Sequence, residues 1–333
     1  MLHSKTVWLI LCAGFIAIAG AQRGARAADP QYKPITQIQV GGAGSWDYLS
    51  ADAVGRRLYV THGTKVVVID MEQNKVVGEI LDTPGVHGFV AVPDLKRGFS
   101  SNGQENKASI VDLETLKTIS KVPTGGNPDA ILYEPKSGEV WTFNGRGHSA
   151  TAFEAKTGKV VAAAIALDGK PETGVADPEA NRIYVNLEDK NSIAVIDIKE
   201  HKVVGTWPIA PGTGATGMAI DTALHRLVIG CANSKMVMMD STSGKVVASV
   251  DCGQGVDAAA FDPGTHLGFV SGGGSGTVTV AKVEADKLTV VQTLTTERGA
   301  RTMTVDTKTH RIYLSNAKAR DATSFKVLVY GME

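Results

Sequence analysis

The chain has 333 residues, and its 34 Lys and Arg residues balance 34 Asp and Glu residues, so the formal net charge at pH 7 is zero. This balance offers no uniformly basic surface for nucleic acid or anionic lipid, although it leaves a local basic patch open, and we expect no nucleic-acid partner. The length exceeds that of one ordinary domain, but repeated units change that estimate because several of them can build one closed structure.

The first 27 residues have the pattern of a secretory signal peptide. Met1–Thr6 carries a basic residue, Val7–Ala21 is apolar, and Ala25-Arg26-Ala27 offers an A-x-A cleavage site. The apolar segment of 15 residues is shorter than the ~20 residues that a membrane-spanning helix needs. We therefore expect cleavage near Ala27 and a periplasmic or secreted protein.

Cleavage there would remove three basic residues and no acidic ones, leaving 31 basic against 34 acidic residues and a net charge of −3. No later segment is apolar enough to span a bilayer, so we expect no membrane insertion. Residues 28–333 are predicted to form a single domain.

The first predicted strand of the mature chain, Ile35–Val40, resembles the fourth strand of the later units but has no first three strands before it. The last unit has the opposite deficit. It offers Arg301–Val305, Arg311–Asn316 and Ser324–Tyr330, but no fourth strand. We predict that the N-terminal strand completes the last sheet and closes a ring, which removes the open sheet edges.

Between these ends the chain repeats one unit, which is clearest around Glu179–Trp207. Three strands are predicted there, at Arg182–Leu187, Ser192–Asp197 and Lys202–Trp207, and an apolar strand at Thr173–Ala176 precedes them. The loops have hairpin length, so the unit is an antiparallel meander of four strands.

The second strand of this unit recurs seven times, at steps of 40, 42, 43, 44, 41 and 44 residues. Its first residues are Arg57, Arg97, Glu139, Arg182, Arg226, Leu267 and Arg311. A period near 40 residues with four strands per unit is typical of a β-propeller. We predict an all-β fold, a seven-bladed β-propeller whose last blade is completed by the N-terminal strand.

Three second strands read Leu58-Tyr59-Val60-Thr61, Ile183-Tyr184-Val185-Asn186 and Ile312-Tyr313-Leu314-Ser315, and V-x-V-I-D and K-V-V-G segments follow. Over residues 32–333 this pattern resembles the YVTN family of bacterial β-propellers, which includes the YncE-like proteins. The resemblance implies an exported propeller. It assigns no catalytic residues, because its motif consists of structural strand residues, and related propellers range from lactonase-like enzymes to the propeller subunits or domains of periplasmic redox enzymes.

In such a ring, the innermost strands start around one mouth of the central channel, and the loops after the second strands open on the same face. Alignment of the units predicts an inner ring of Trp46 with Asp47, His87, Asp129, Glu172, Thr216, Asp257 and Arg301. The loops are predicted to contribute His62, Asn102, Asn144 with Arg146 and His148, Asn186 with Glu188, Asn233, Ser271 and Asn316. Four carboxylates, two or three histidines and two arginines are expected to face one funnel, and ligand sites favour such concave positions.

These residues are compatible with a divalent metal ion as a cofactor. Asp129, Glu172 and Asp257 offer the oxygen ligands that calcium takes. The histidines His62, His87 and His148 instead suit zinc or copper. The ligands come from different units, so no local spacing selects between these ions.

Acid–base catalysis on a lactone or similar ester is a second alternative. His87 beside Asp47 or Asp129 would act as the base, and Arg301 would hold a substrate carboxylate or a developing oxyanion. The candidate catalytic residues are His87, Asp129, Glu172, Asp257 and Arg301.

Covalent c-type haem is excluded because the sequence contains no C-x-x-C-H motif, although a redox partner could carry its own cofactor. The leading hypothesis is an exported, monomeric binding or scaffold protein. A small molecule or another exported protein would dock at the channel mouth. The alternative is a hydrolase or lyase, and the predicted ligand-binding residues are Trp46, Asp47, His62, Asn102, Asn144, Arg146, His148 and Asn186.

The sequence also predicts the state of two cysteines and the residues of several turns. Cys231 and Cys252 are predicted to lie two strands apart, roughly 9–10 Å, which exceeds the ~7 Å limit for a disulfide, so we expect free thiols. Turn-capping roles are predicted for Asp70, Asp112, Asp197 and Asp240. Turn positions are also predicted for His225, His266 and His310.

Overall fold

Seven four-stranded antiparallel sheets make up the computed structural model, which describes residues 1–2, 31–318, 321 and 323–332. Each inner strand packs against the inner strand of the next sheet, and the last inner strand packs against the first, so the sheets form a ring. This arrangement confirms the predicted all-β, seven-bladed propeller. The predicted signal peptide lies outside the described residues except for its first two.

The chain begins its ring with β1 (Tyr32–Gln39). Blade 1 contains β2 (Trp46–Asp52), β3 (Arg57–His62), β4 (Lys65–Asp70) and β5 (Lys75–Ile80). Blade 2 contains β6 (Val86–Val92), β7 (Arg97–Asn102), β8 (Lys107–Asp112) and β9 (Thr118–Pro123). Blade 3 contains β10 (Pro128–Glu134), β11 (Glu139–Asn144), β12 (Ser149–Glu154) and β13 (Val160–Ala166).

Blade 4 contains β14 (Pro171–Asp177), β15 (Arg182–Leu187), β16 (Ser192–Asp197) and β17 (Lys202–Pro208). Blade 5 contains β18 (Ala215–Asp221), β19 (Arg226–Cys231), β20 (Lys235–Asp240) and β21 (Val246–Asp251). Blade 6 contains β22 (Val256–Asp262), β23 (Leu267–Gly272), β24 (Thr277–Val283) and β25 (Leu288–Thr295). Blade 7 contains β26 (Met303–Asp306), β27 (Arg311–Asn316), β28 (Lys326–Met332) and β1.

The helical content of the described residues is two 3-10 helices, Pro93–Leu95 and Glu188–Lys190. Neither these nor any other described helix has the length and apolar character needed to cross a membrane.

Blade 7 closes the ring as predicted, since β1 pairs antiparallel with β28 from Tyr32–Met332 to Gln39–Lys326. The strand starts at Tyr32 rather than at the predicted Ile35. The reason is that the Tyr32 ring is buried edge-on against Phe269, and its hydroxyl donates to the His310 carbonyl oxygen at 2.9 Å. A bulge near Pro34 breaks the register, and proline is tolerated there because β1 is an edge strand.

The apolar core lies between neighbouring blades. In the seam between blades 1 and 7, apolar side chains of both sheets form one buried cluster, which includes Leu58, Val60, Val67, Ile69, Tyr313, Val327 and Val329. Third strands such as β4 are apolar on both faces because each sheet is covered on both sides by its neighbours. Accordingly, Val66 to Ile69 are fully buried.

The predicted turn residues are confirmed. The carboxylates that end the third strands accept hydrogen bonds from backbone N–H groups two or three residues later; they belong to Asp70, Asp112, Asp197 and Asp240. His225, His266 and His310 adopt left-handed φ angles of 55°, 55° and 58°, a conformation in which histidine is enriched.

Cys231 and Cys252 are free thiols, as predicted from the strand spacing. The sheet order places β20 between the strands that lead to them. Burial raises the pKa of both thiols to about 12, so neither is a reactive thiolate at neutral pH.

Candidate functional site

A β-bulge near the start of each of the first six inner strands aims two residues at the channel axis. In blade 1, Trp46 pairs with His62 and the next pair is Leu49 with Val60, so Asp47 and Tyr48 face a single residue of β3. The same interruption follows the first pair of β6, β10, β14, β18 and β22. Bulges of this kind redirect side chains and occur next to functional sites.

The predicted inner ring at the mouth consists of the first bulge residue of each of blades 1–6, together with Arg301, which precedes β26 in blade 7. Its members line or adjoin one cavity of about 150 Å³; they are Asp47, His87, Asp129, Glu172, Asp257 and Arg301. Thr216 occupies the fifth blade's place in this ring, and its hydroxyl approaches the Val256 carbonyl oxygen at 3.4 Å. The structure therefore brings together every residue predicted as catalytic.

His87 is the centre of the first charged group in this cavity. Its Nδ1 lies 2.7 Å from Oδ2 of Asp47 and 3.7 Å from Oδ1 of Asp129. The ligand-type atoms of these three residues all lie within 4.8 Å of one another. They come from blades 1, 2 and 3, so the ring closure brings them together.

Arg301 forms a second group with blade 6. Its guanidinium lies 3.2 Å from Oδ2 of Asp257, and it donates to the Trp46 carbonyl oxygen at 3.3 Å. These contacts connect blades 6, 7 and 1 around the mouth. Nearly half of the Arg301 side chain remains exposed, so a ligand can reach it.

Lys170 forms a third group in blade 4. Its ammonium donates to Glu172 and, at 2.7 Å, to Glu188. Glu188 starts the short helix Glu188–Lys190, which lies in the predicted loop between β15 and β16. One cation is thus shared by two carboxylates.

The carboxyl groups of the cavity hold protons more tightly than usual. Burial, together with the charge of Asp129, raises the pKa of Glu172 to about 8 in spite of Lys170. Burial also raises the pKa of Asp257 to about 6, although Arg301 opposes this rise. Both rises come mainly from the removal of water around the carboxyl groups on burial, which disfavours their charged forms.

The charges of Asp129 and His87 each shift the pKa of the other group. Burial raises the pKa of Asp129 to about 6 against the charge of His87, and Asp47 adds to the rise. For His87, burial alone would lower the pKa, but the Asp47 hydrogen bond and the Asp129 charge outweigh it, so the pKa lies above its ordinary value. A proton on His87 Nδ1 can bridge to Asp47.

Tyr48 forms the floor of the cavity. Its hydroxyl lies 3.2 Å from Oγ1 of Thr173 in blade 4, across the channel. Below it lies an apolar cavity of about 340 Å³, which shares Tyr48 and Ala258 with the cavity above. A single phenol ring thus separates a polar upper chamber from an apolar lower one.

Several predicted ligand-binding residues lie in the blades instead of in the chamber. His62 is buried and its ring stacks on Phe325 at 4.2 Å, and burial lowers its pKa. Asn102 and Asn144 are fully buried. They donate to side-chain oxygens of their own hairpins, at 2.8 Å to Ser109 for Asn102.

The other predicted ligand-binding residues frame the mouth. Asn186 donates to the Thr216 carbonyl oxygen at 3.0 Å and thereby links blades 4 and 5. Trp46 packs against Phe325 at 5.5 Å in the closing seam. Arg146 and His148 are exposed on the β11–β12 loop. Of the three histidines that we expected at the funnel, His87 alone lies in the charged cluster.

Sequence reasoning missed Lys170 and Tyr48. Lys170 stands one residue before β14 and looked like a turn residue, so its role depends on a side-chain conformation that the sequence does not give. Tyr48 had a recognisable signal. The equivalent positions of the other blades hold small residues, namely Gly88, Ala130, Thr173, Gly217, Ala258 and Thr302, and one large residue among small ones can fill the channel.

No family model matches the chain. The uncharacterized protein YncE of Escherichia coli O157:H7 is 24% identical over 147 residues, which cover 41% of this chain and 42% of that protein. The YncE proteins of Salmonella typhi and Salmonella typhimurium are each 27% identical over 149 residues, with the same coverage.

These distant matches agree with the seven-bladed ring. The chain is a seven-bladed β-propeller with distant sequence similarity to the YncE proteins. The matched part spans 42% of the length of these curated relatives, and their name assigns no activity. Hydrazine synthase of Kuenenia stuttgartiensis superimposes on this chain with a TM-score of 0.73 at 15% identity, covering 84% of this chain and 95% of that one. At this identity the likeness shows the propeller fold alone.

Proposed function

We propose that this chain is an exported binding protein whose ligand docks at the polar mouth of the central channel. The observation that supports this most strongly is the convergence of charged side chains from six blades on one cavity. A concave, partly desolvated group of charges on a rigid frame is the usual setting of a ligand site.

The charge balance favours a cationic ligand. Arg301 is engaged by Asp257, and Lys170 is shared by two carboxylates, so Asp47 and Asp129 face the imidazole of His87. A bound cation would relieve the mutual repulsion of these carboxylates. The cavity volume of about 150 Å³ lies below the ~300 Å³ at which sites for drug-sized ligands begin, which favours a metal ion or a small ammonium compound.

Export is supported by the basic, apolar and A-x-A segments of residues 1–27. A periplasmic or secreted protein would meet its ligand outside the cytosol. A second exported protein is the other partner class that the sequence suggested, and it would have to cover the exposed rim around Arg146 and His148.

The proposal is tested by thermal unfolding of residues 28–333 with matched panels of small cations and small anions. We expect a cation to raise the unfolding midpoint, because a ligand at 100 times its Kd stabilises a protein by about 2.7 kcal/mol. Asp129→Asn should reduce that shift, whereas Asp94→Asn, on the short helix at the opposite face, should not. Stabilisation by anions, or an unchanged shift in Asp129→Asn, would contradict the proposal.

A hydrolase or lyase is the second candidate, and one observation favours it. The His87–Asp47 hydrogen bond of 2.7 Å and the raised pKa of Glu172, about 8, place a base and a proton donor around one cavity. Turnover of simple lactones or esters that is lost in both His87→Gln and Glu172→Gln would establish this function. Turnover that survives both substitutions would exclude this site.

A further inference from the structure

Three side chains on one side of the chamber differ from the rest because, among the described residues, no lysine or arginine forms an ion pair with them. Asp47, His87 and Asp129 are the second residues of the inner strands of blades 1, 2 and 3. Within the described part of the chain, no Lys or Arg nitrogen lies within 4.0 Å of either carboxylate. Two aspartates and one imidazole are a donor set that first-row divalent metals accept.

We propose that Asp47, His87 and Asp129 form a binding site for a divalent transition-metal ion, with Zn²⁺ as the best match. This inference rests on the proposed binding function and names its ligand class. It assigns Nδ1 of His87 and one oxygen of each aspartate as the protein ligands. Glu172, Asp257 and Arg301 belong to the rest of the chamber and are not assigned as ligands.

The distances fit a small ion. With zinc–ligand bonds of about 2.0–2.2 Å, neighbouring ligand atoms of a tetrahedral site lie about 3.3 Å apart. Nδ1 of His87 lies 2.7 Å from one aspartate oxygen and 3.7 Å from the other. These values bracket the expected spacing, and all three ligand-type atoms lie within 4.8 Å of one another, so small side-chain rotations would complete the site.

A second observation points to a ligand at this place. Asp129 is only 9% exposed, and its carboxylate accepts no hydrogen bond from the described residues; its charged neighbour is His87 at 3.7 Å. Burying a carboxylate without hydrogen-bond donors is costly. A metal ion would supply the missing partner, and Asp129 lines the chamber in which that ion would sit.

The neighbouring backbone fixes which imidazole nitrogen faces the carboxylates. A Cβ at Gly103 would lie 2.7 Å from Nε2 of His87, so the ring packs directly on the β7–β8 loop with that edge. Nδ1 is left to face Asp47 and Asp129. The hydroxyl of Ser101 in blade 2 also bonds to the Asp129 carbonyl oxygen, which ties the backbones of two ligand-bearing blades together.

Three protein ligands leave one position of a tetrahedral ion open. Structural zinc sites have four protein ligands, whereas sites that act on a further ligand keep a position for water. Here the open position would face the chamber, in the direction of Glu172 and Asp257. The metal would therefore be accessible to a small molecule that enters the mouth.

The test is a titration of untagged residues 28–333 with Zn²⁺ alone, in competition with a chromophoric chelator. We expect one zinc ion per chain in the wild type. Asp129→Asn and His87→Gln should each weaken binding at least tenfold, because each removes a ligand. Asp47→Asn provides a third variant at a more exposed position, so the test survives if one variant fails to fold.

His310→Gln is the matched control. Nδ1 of His310 also lies 2.7 Å from an aspartate oxygen, Oδ2 of Asp262, but among the described residues no third ligand-type side chain joins that pair. This variant should bind zinc as the wild type does. Equal binding by the wild type and all three ligand variants, or loss of binding in His310→Gln, would overturn the metal site.

The outcomes separate this inference from the proposed function. If zinc does not bind but another small cation stabilises the wild type and fails to stabilise Asp129→Asn, the zinc site is wrong and the binding function stands. If neither zinc nor any other cation binds, both are wrong. Zinc binding that depends on Asp129 and His87 supports both.

Discussion

The hydroxyl of Tyr48 in blade 1 lies 3.2 Å from the hydroxyl of Thr173 in blade 4, on the far side of the central channel. Thr173 in turn donates to the Thr216 carbonyl oxygen at 2.7 Å. This chain of contacts spans three blades and places one aromatic ring across the channel. It gives the charged chamber a floor, because the small residues at the equivalent positions leave room for that ring.

We predict that replacing Tyr48 separates the role of its ring from that of its hydroxyl. Tyr48→Phe removes one hydrogen bond and should lower the free energy of unfolding by about 1 kcal/mol. Tyr48→Ala joins the polar chamber to the apolar cavity below and should cost about 3 kcal/mol. Urea unfolding measures both changes. Equal effects of the two substitutions would show that the ring does not fill the channel.

The seam between the first and last blades is predicted to depend on Arg56. Its guanidinium donates to both oxygens of Asp306, at 3.0 and 2.9 Å, and the Asp306 side chain is fully buried. Arg56→Ala leaves that carboxylate without its cation, and removal of one partner from a buried ion pair costs about 3–5 kcal/mol. The loss should be visible as a lower urea midpoint.

Arg182→Ala is the control for the seam, because Arg182 pairs with Asp197 inside one blade and both side chains are partly exposed. We expect a cost below about 1 kcal/mol. If Arg56→Ala costs no more than Arg182→Ala, the Arg56–Asp306 pair does not stabilise the closure.

The propeller architecture was predictable because repetition multiplies a weak signal. One apolar strand such as Ser192–Asp197 does not identify a fold, but seven copies near a 40-residue period do. The closure was also predictable, since the unpartnered strand at the N-terminus matched the missing strand at the C-terminus. The ends of individual strands were less predictable. The strand β1 starts at Tyr32, before the predicted Ile35, because Tyr32 contacts Phe269 and His310, which are distant in sequence.

The inner ring of the site was predictable because alignment of the units places equivalent residues at one mouth. The loop residues were not, because the direction of a side chain depends on its local packing. His62 and Asn102 align with the mouth, but each turns into its blade, where Phe325 or Ser109 contacts it. Lys170 was missed because it lies in a turn of the sequence, whereas in the structure its side chain extends into the chamber and pairs with Glu172 and Glu188.

Glu172 is predicted to make stability fall as pH rises. Burial and the Asp129 charge raise its folded-state pKa from 4.5 to about 8, so its favourable contribution is present at low pH and is lost as pH rises through about 8. Glu172→Gln should therefore raise the free energy of unfolding by about 2 kcal/mol at pH 9. At pH 4.5 it should change stability by less than about 1 kcal/mol. Urea unfolding at both pH values measures this difference.

Glu188→Gln is the control, because Glu188 is the more exposed acceptor of Lys170. It should change stability by less than about 1 kcal/mol at either pH. A loss of stability at pH 9 in Glu172→Gln would mean that the Lys170 ion pair outweighs burial.

The two cysteines are predicted to remain thiols even in an oxidising compartment. Cys231 is buried, and Cys252 is partly buried. A thiol reagent should react slowly with the native protein and should titrate two thiols in residues 28–333 after unfolding without reductant. No reactive thiol after unfolding would indicate a disulfide and contradict this geometry.

The most direct test of a cation site at the charged mouth is a crystal structure of residues 28–333. The crystals are grown with Zn²⁺, and diffraction data are collected on both sides of the zinc absorption edge. We predict an anomalous peak at about 2.0–2.2 Å from Nδ1 of His87 and from oxygens of Asp47 and Asp129. An occupied zinc peak elsewhere on the molecule, with none between these three side chains, would contradict the site.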